Sequence, residues 1–251
     1  MQLILADDYD KMSRIAADII KTRIKVKENT VLGLATGSSP LGLYNCLADD
    51  YRNNEITLKN VKGFNLDEYI GLSGENHQSF RYYLEENLVK RTDFDKANLN
   101  VLDGCAKDSL AECEQFEHLI EKNGGIDLQI LGLGEDGHIG FNEPCSYFPS
   151  KTHEVDLKWE TIQANARFFQ DLKNVPKRAY TMGIGTIMKS KQILLIVSGN
   201  AKAEILRKAI LENVTPQIPA SILQFHPNCI VIGDKDAMKY VAEWDTYEKT
   251  I

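Results

Sequence analysis

Short apolar runs alternate with longer amphipathic segments from one end of this chain to the other. Leu3 to Ala6, Val31 to Ala35, Val61 to Leu66, Ile126 to Leu131, Ile193 to Val197 and Cys229 to Ile232 read as buried strands. Met12 to Ile24, Leu41 to Asp49, Gln78 to Lys90, Ser109 to Lys122, Ala201 to Leu211 and Lys235 to Glu243 have the length and apolar spacing of helices. Alternation of this kind predicts an α/β fold: a mostly parallel central sheet with helices on both faces, an open Rossmann-like sheet. Such sheets bind ligands outside the carboxyl ends of their strands. The loops that follow the strands are therefore where function is sought: Thr36 to Pro40, Asp67 to Gly71, Gly132 to Pro144 and Ser198 to Lys202.

A chain of 251 residues, 43% of them hydrophobic, can bury one large core, so a single domain over 1–251 is expected. The irregular, charge-rich segment Phe148 to Asn174 is a candidate for a mobile lid. No run approaches the ~20 apolar residues of a membrane span, and the first residues are too acidic for a secretory leader, so a soluble cytoplasmic protein is expected. A net charge of −7 argues against a nucleic-acid surface, and any small anion would be held by local cations and amides. Cysteines 46, 105, 113, 145 and 229 are scattered without a Cys-x-x-Cys pair and are expected to be reduced, Cys145 packing rather than attacking.

Gly132 to Pro144 reads Gly-Leu-Gly-Glu-Asp-Gly-His-Ile-Gly-Phe-Asn-Glu-Pro. Glycines at this density let the backbone bend enough for Asp136, His138 and Glu143 to converge. Gly132, Gly134 and Gly137 match a dinucleotide fingerprint in spacing, but the fingerprint needs a helix at its last glycine, and Gly140, Asn142 and Pro144 make a poor one. Three readings of the titratable trio stand side by side. It is an acid/base relay with carboxylates orienting a histidine, a metal site of unfamiliar spacing, or a hydrogen-bonded cluster satisfying turn amides.

Thr36-Gly37-Ser38-Ser39-Pro40 lies between a strand and a helix and outlines an anion cradle, since free amides at a helix start favour phosphate. Lys202, in the first turn of a helix expected from Asn200, opposes that helix's dipole, which makes sense if the two share an anion. Asp67 closes the third strand ahead of Glu68, and alternation sends the two acids to opposite sides. An aspartate there is either a base for a proton next to a carbonyl or imine, or a cap.

Taken together, the chain resembles the glucosamine-6-phosphate deaminase family along nearly its whole length. The resemblance rests on Leu-Gly-Leu-Ala-Thr-Gly-Ser-Ser-Pro from Leu32, Phe-Asn-Leu-Asp-Glu-Tyr-Ile-Gly-Leu from Phe64 and the loop from Gly132, with Asn165-Ala166-Arg167-Phe168-Phe169 and Leu223-Gln224-Phe225-His226-Pro227 in support. It implies conversion of glucosamine 6-phosphate and water into fructose 6-phosphate and ammonia, without a cofactor or metal. By resemblance, His138 opens the sugar ring with Asp136 and Glu143 setting its orientation and charge, and Asp67 moves the C2 proton to C1. Thr36, Gly37, Ser38 and Ser39, with Arg167 and Lys202, would hold the phosphate; Ser38 departs from the glycine that many members carry. Larger members are activated by N-acetylglucosamine 6-phosphate through basic residues that Ser150 to Val155 does not match and through a longer C-terminal tail, where this chain ends soon after Trp244. The implied protein is an unactivated monomer or small homo-oligomer whose partner is a sugar phosphate.

Overall fold

A computed structural model describes residues 1–166, 169 and 171–248. In chain order the elements are β1 (Gln2–Ala6), α1 (Tyr9–Val26), β2 (Val31–Leu34), α2 (Ser38–Arg52), β3 (Lys62–Asn65), β4 (Asp67–Tyr69), α3 (Phe80–Asn87), β5 (Leu99–Asn100) and α4 (Ser109–Lys122). They continue with β6 (Leu128–Leu131), β7 (His153–Asp156), α5 (Trp159–Asn165), β8 (Arg178–Thr181), α6 (Ile184–Met188), β9 (Ile193–Val197), α7 (Ala203–Leu211), β10 (Cys229–Asp234) and α8 (Lys235–Glu248).

Among the described residues, seven strands form a sheet in the order β1-β10-β9-β6-β2-β3-β5, every neighbouring pair parallel. This is the expected α/β sheet, with helices packed around it. Its central strands β2, β6 and β9 are buried along their whole length, which is why they read as mostly apolar runs, interrupted in β6 by Gln129. Short polar side chains set where three helices start: α4 begins at Ser109 as expected, whereas α1 begins at Tyr9 rather than Met12 and α3 at Phe80 rather than Gln78. Asp8 accepts from the Lys11 N–H at α1, Ser79 from the Tyr82 N–H at α3, and Asp108 from two N–H groups at α4. No helix among the described residues is long and apolar enough to cross a membrane.

A second sheet, β4-β8-β7, is antiparallel, and it corrects the reading of Asp67 as the end of the third strand. The chain changes sheets at one residue. Leu66 donates its N–H to Leu34 O at 3.0 Å, in the large sheet, and its carbonyl accepts from the Met182 N–H at 2.8 Å, beside the small one. Asn65, fully buried, fixes the bend by donating its side-chain amide to Asp67 O at 2.7 Å and accepting from the Leu102 N–H at 3.1 Å.

Beneath the small sheet lies a separate apolar cluster of Tyr69, Phe141, Leu157, Ile162, Val175 and Ala179. Tyr69 meets Phe80 of α3 with ring centroids 4.8 Å apart, and Phe141 at 5.5 Å. The segment 148–174 is thus not irregular throughout, since it contains β7, α5 and a 3₁₀ turn over Leu172–Asn174.

Candidate active site

After β2 the chain moves outward through β3 and β5, then returns to the other side of β2 as β6. The carboxyl ends of β2 and β6 therefore flank the crevice where the strand order reverses, the usual ligand site of an open parallel sheet. Thr36 to Ser39 follow β2 and Gly132 to Pro144 follow β6. The two loops touch: a Cβ added at Gly132 would lie 3.7 Å from Ser39 Oγ.

Within the second loop the glycines do separate jobs. Gly137 has φ +88° and Gly140 +61°, which reverse the chain around His138. Gly134 lies under the imidazole, where a Cβ would come within 2.2 Å of His138 Cε1. Its N–H donates to His138 O at 2.9 Å. Asp136 Oδ1 accepts from the His138 N–H at 3.1 Å and sits 2.6 Å from the ring Nδ1. Burial pushes the Asp136 carboxyl up, but these hydrogen bonds and the adjacent imidazole outweigh it and hold the group below the usual carboxylate range. An ionised Asp136 selects the tautomer with the proton on Nδ1 and leaves Nε2 as the basic nitrogen.

Asp67 is 7% exposed, and its Oδ1 has no hydrogen-bond partner among the described residues. Burial, followed by the neighbouring Glu68 charge, pushes its carboxyl up to about 8. Glu68 points the other way, as strand alternation predicts. It accepts from the N–H groups of Phe80 at 3.0 Å and Arg81 at 2.9 Å, at the start of α3, and from its neighbour Tyr69 at 2.9 Å. Burial pushes Glu68 up to about 7 against the opposing pull of those three donors. Across the strand pair Asp67 faces Thr181, whose Oγ1 accepts from the Phe141 N–H at 3.0 Å. Asn142 adds a second tie by donating to Met182 O at 2.8 Å. The strand of Asp67 and the loop of His138 are thus fastened to the same end of β8.

Glu143 stands differently from the expectation. Among the described residues its carboxylate accepts from the Lys158 N–H at 3.2 Å and from the Thr161 hydroxyl, at the start of α5, while the imidazole bonds to Asp136. The carboxylate acts here as an anion at a helix start. Lys202 lies in a 3₁₀ turn, Asn200–Lys202, that precedes α7, rather than in the α-helix itself. Its Nζ is 4.0 Å from Glu135 Oε1, so this cation belongs to the same crevice as the His138 loop. Gly37 is the N-cap residue of α2 at φ +93°, and no side chain caps that helix, so the anion cradle read at Thr36, Gly37, Ser38 and Ser39 has free helix-start amides. Arg167 lies outside the described residues. No group of three or more His, Cys, Asp and Glu among the described residues is placed to hold a metal ion.

Two participants escaped the sequence reading. Glu68 was visible only as the neighbour of Asp67, with no sign that it would cap α3. Thr181 carries no local signal at all, because its part depends on a strand pairing between distant segments.

Residues 7–231 match the family model described as glucosamine-6-phosphate isomerases/6-phosphogluconolactonase. A protein of Geobacillus sp. (strain WCH70) named glucosamine-6-phosphate deaminase is 51% identical over 243 residues, covering 97% of each chain. One of the same name from Thermoanaerobacter pseudethanolicus is 48% identical, covering 99% of this chain and 98% of its own. A solved structure described as a monomeric glucosamine-6-phosphate deaminase superposes with a TM-score of 0.93 at 41% identity, over 95% of this chain and 99% of that one. The 6-phosphogluconolactonase from Trypanosoma cruzi shares the fold, with a TM-score of 0.75 at 19% identity over 95% of this chain and 96% of its own.

Proposed function

The chain belongs to the glucosamine-6-phosphate isomerase/6-phosphogluconolactonase family, and we propose that within it the protein is a glucosamine-6-phosphate deaminase, releasing ammonia and fructose 6-phosphate from glucosamine 6-phosphate and water. Relatives of that name match nearly the full length of the chain. The observation that carries the reading is chemical: an imidazole oriented by Asp136, and a buried Asp67 carboxyl whose Oδ1 has no hydrogen-bond partner among the described residues, are tied to one end of β8.

Two proton transfers are needed, one at oxygen and one at carbon. His138 Nε2 takes the proton of the anomeric hydroxyl and returns it to the ring oxygen as the C1–O5 bond breaks, leaving an open-chain aldehyde. Asp67, as carboxylate, then removes the proton from C2 and delivers it to C1, while the C2 ammonium gives up a proton and the C1 oxygen gains one. The product is a ketimine at C2, where water adds and ammonia departs. A carboxyl poised near 8 is basic enough for a carbon acid, and the substrate's C2 ammonium beside it would favour the ionised form on binding.

Phosphate would lie at the amides of Thr36, Gly37, Ser38 and Ser39 with Arg167 and Lys202 as cations. A role for Glu143 beside His138 would require its carboxylate to leave Lys158 and Thr161. The scheme uses no cofactor or metal. We further read the chain as one domain acting as a monomer or small homo-oligomer in the cytoplasm, with 148–174 as the lid; the superposed deaminase is described as monomeric.

Ammonia release from glucosamine 6-phosphate in the presence of a chelator tests the proposal, with hydrolysis of 6-phosphogluconolactone assayed in parallel. Chelator-resistant ammonia together with fructose 6-phosphate is expected. Lactone hydrolysis without ammonia would move the protein to the other activity of its family.

A further inference from the structure

Three phenols hold the carbonyls of the loop between β2 and α2. Tyr44 of α2 donates its hydroxyl to Ala35 O at 2.7 Å. Tyr83 of α3 donates to Gly37 O at 2.7 Å. Tyr9, the first residue of α1, donates to Ser38 O at 2.7 Å and accepts from the Gly42 N–H at 2.8 Å. This approach of α1 to α2 requires glycine at 42, where a Cβ would stand 2.3 Å from Ser13 Oγ and 2.9 Å from Tyr9 Cε1. Tyr44 is fully buried and meets Tyr83 edge-on, with ring centroids 6.4 Å apart. Burial raises the pKa of both Tyr44 and Tyr83, helped by the Tyr83 phenol at Tyr44 and by the Tyr9 phenol at Tyr83, so both keep their protons and remain donors.

A trans peptide points its N–H away from its own C=O. Fixing the carbonyls of Ala35, Gly37 and Ser38 against the phenols therefore turns the N–H groups of Thr36, Ser38 and Ser39 to the opposite side. Ser38 and Ser39 open α2, where N–H groups have no acceptor within the helix. The hydroxyl of Ser39 also approaches Gly132, so this end of the loop faces the crevice. The start of α2 orients the Ser38 and Ser39 amides, and the phenols hold the carbonyl of each of the three peptides.

We propose that Tyr9, Tyr44 and Tyr83 are positioning residues for the phosphoryl group, each drawing one carbonyl aside so that the N–H groups of Thr36, Ser38 and Ser39 converge on the phosphoryl oxygens. Left free, those peptides could rotate and present a carbonyl dipole to the anion. The inference rests on the reading of this loop as the phosphate site.

Inorganic phosphate is the probe, titrated into the full-length protein while backbone amide resonances are followed by NMR, with the KM for glucosamine 6-phosphate measured alongside. In the parent protein the Thr36, Ser38 and Ser39 amides should shift together. Tyr83→Phe and Tyr9→Phe keep the rings and remove only the hydroxyls. Each should weaken phosphate binding and raise KM by about fivefold, the equivalent of one net hydrogen bond of roughly 1 kcal/mol. The shift should shrink at Ser38 in Tyr83→Phe and at Ser39 in Tyr9→Phe. If the parent's amides shift but the variants bind phosphate like the parent, the phosphate reading stands and the positioning role is overturned. If none of the three amides responds in the parent, the phosphate reading itself fails and takes the inference with it.

Discussion

Asp67 and Thr181 face each other across the β4–β8 pair, and the Thr181 hydroxyl accepts the N–H of Phe141 at 3.0 Å. The proposed carbon base and the loop that carries the proposed oxygen base are thus two contacts apart. Thr181→Val keeps the shape and removes the acceptor, leaving a buried N–H unpaired at a cost of about 1–3 kcal/mol. A lower unfolding midpoint is expected, with kcat reduced more than KM changes, while Thr181→Ser retains both. Parent-like unfolding and turnover in the valine variant would dismiss this coupling.

Asp67→Asn should reduce turnover to background while inorganic phosphate still binds, since the shape is kept and the base is lost. Stability should move the other way. The folded-state carboxyl is pushed up to about 8, whereas an unfolded aspartate ionises near ~3.9. Between those values the folded chain retains a proton that the unfolded chain has released, so stability falls as pH rises from about 4, and the loss is complete above about 8. The asparagine variant should therefore outlast the parent on heating by a margin wider at about pH 8.5 than at about pH 5. A constant margin across that range would show that Asp67 does not titrate so high.

Glu68 is the charge that adds to burial in raising Asp67. Glu68→Gln should shift the acid limb of kcat/KM to lower pH, because the free-enzyme pKa of the base is what that limb reports. The same variant loses a charged acceptor at the start of α3 and should melt earlier. An unmoved limb would detach Glu68 from the chemistry and leave it as a cap.

Asp136→Asn exchanges an acceptor for a side chain that can hold the wrong imidazole tautomer. Loss of kcat by about a hundredfold or more is expected, with little change in KM, as for removal of an oriented general base. Because Asp136 is held below the usual carboxylate range, the parent's kcat should show no inflection from this group at neutral pH.

Glu143→Gln tests the tie to α5. Amide hydrogen exchange at Lys158 and through Trp159–Asn165 should accelerate, since the charged acceptor for the Lys158 N–H and the Thr161 hydroxyl is gone. Unchanged exchange with lost turnover would instead assign Glu143 wholly to the imidazole.

The large sheet was legible because its central strands are buried along their length and are mostly apolar. Asp136 and His138 were legible because glycines crowd around them, and the helix-start loop because small hydroxyl residues follow a strand. The small sheet was not. Asp-Glu-Tyr, His-Glu-Val-Asp and Arg-Ala-Tyr-Thr carry too much charge to read as strands, and they are held by pairing with distant partners and by the aromatic cluster below them. The tie from Glu143 to the start of α5 was not legible, because the Lys158 N–H and Thr161 hydroxyl that it accepts from lie well beyond it in sequence.

The peptide at Leu66, with its N–H bonded to Leu34 and its carbonyl to Met182, works as a ruler. Leu34 ends the strand that leads into the proposed phosphate loop, and Asp67, the proposed base, is the next residue after the hinge, so a single residue links the proposed anchor and base. A five-carbon analogue anchored at the same loop should bind yet fail to exchange its C2 hydrogen for deuterium from solvent, which makes chain length, rather than the amino group alone, a criterion of selection.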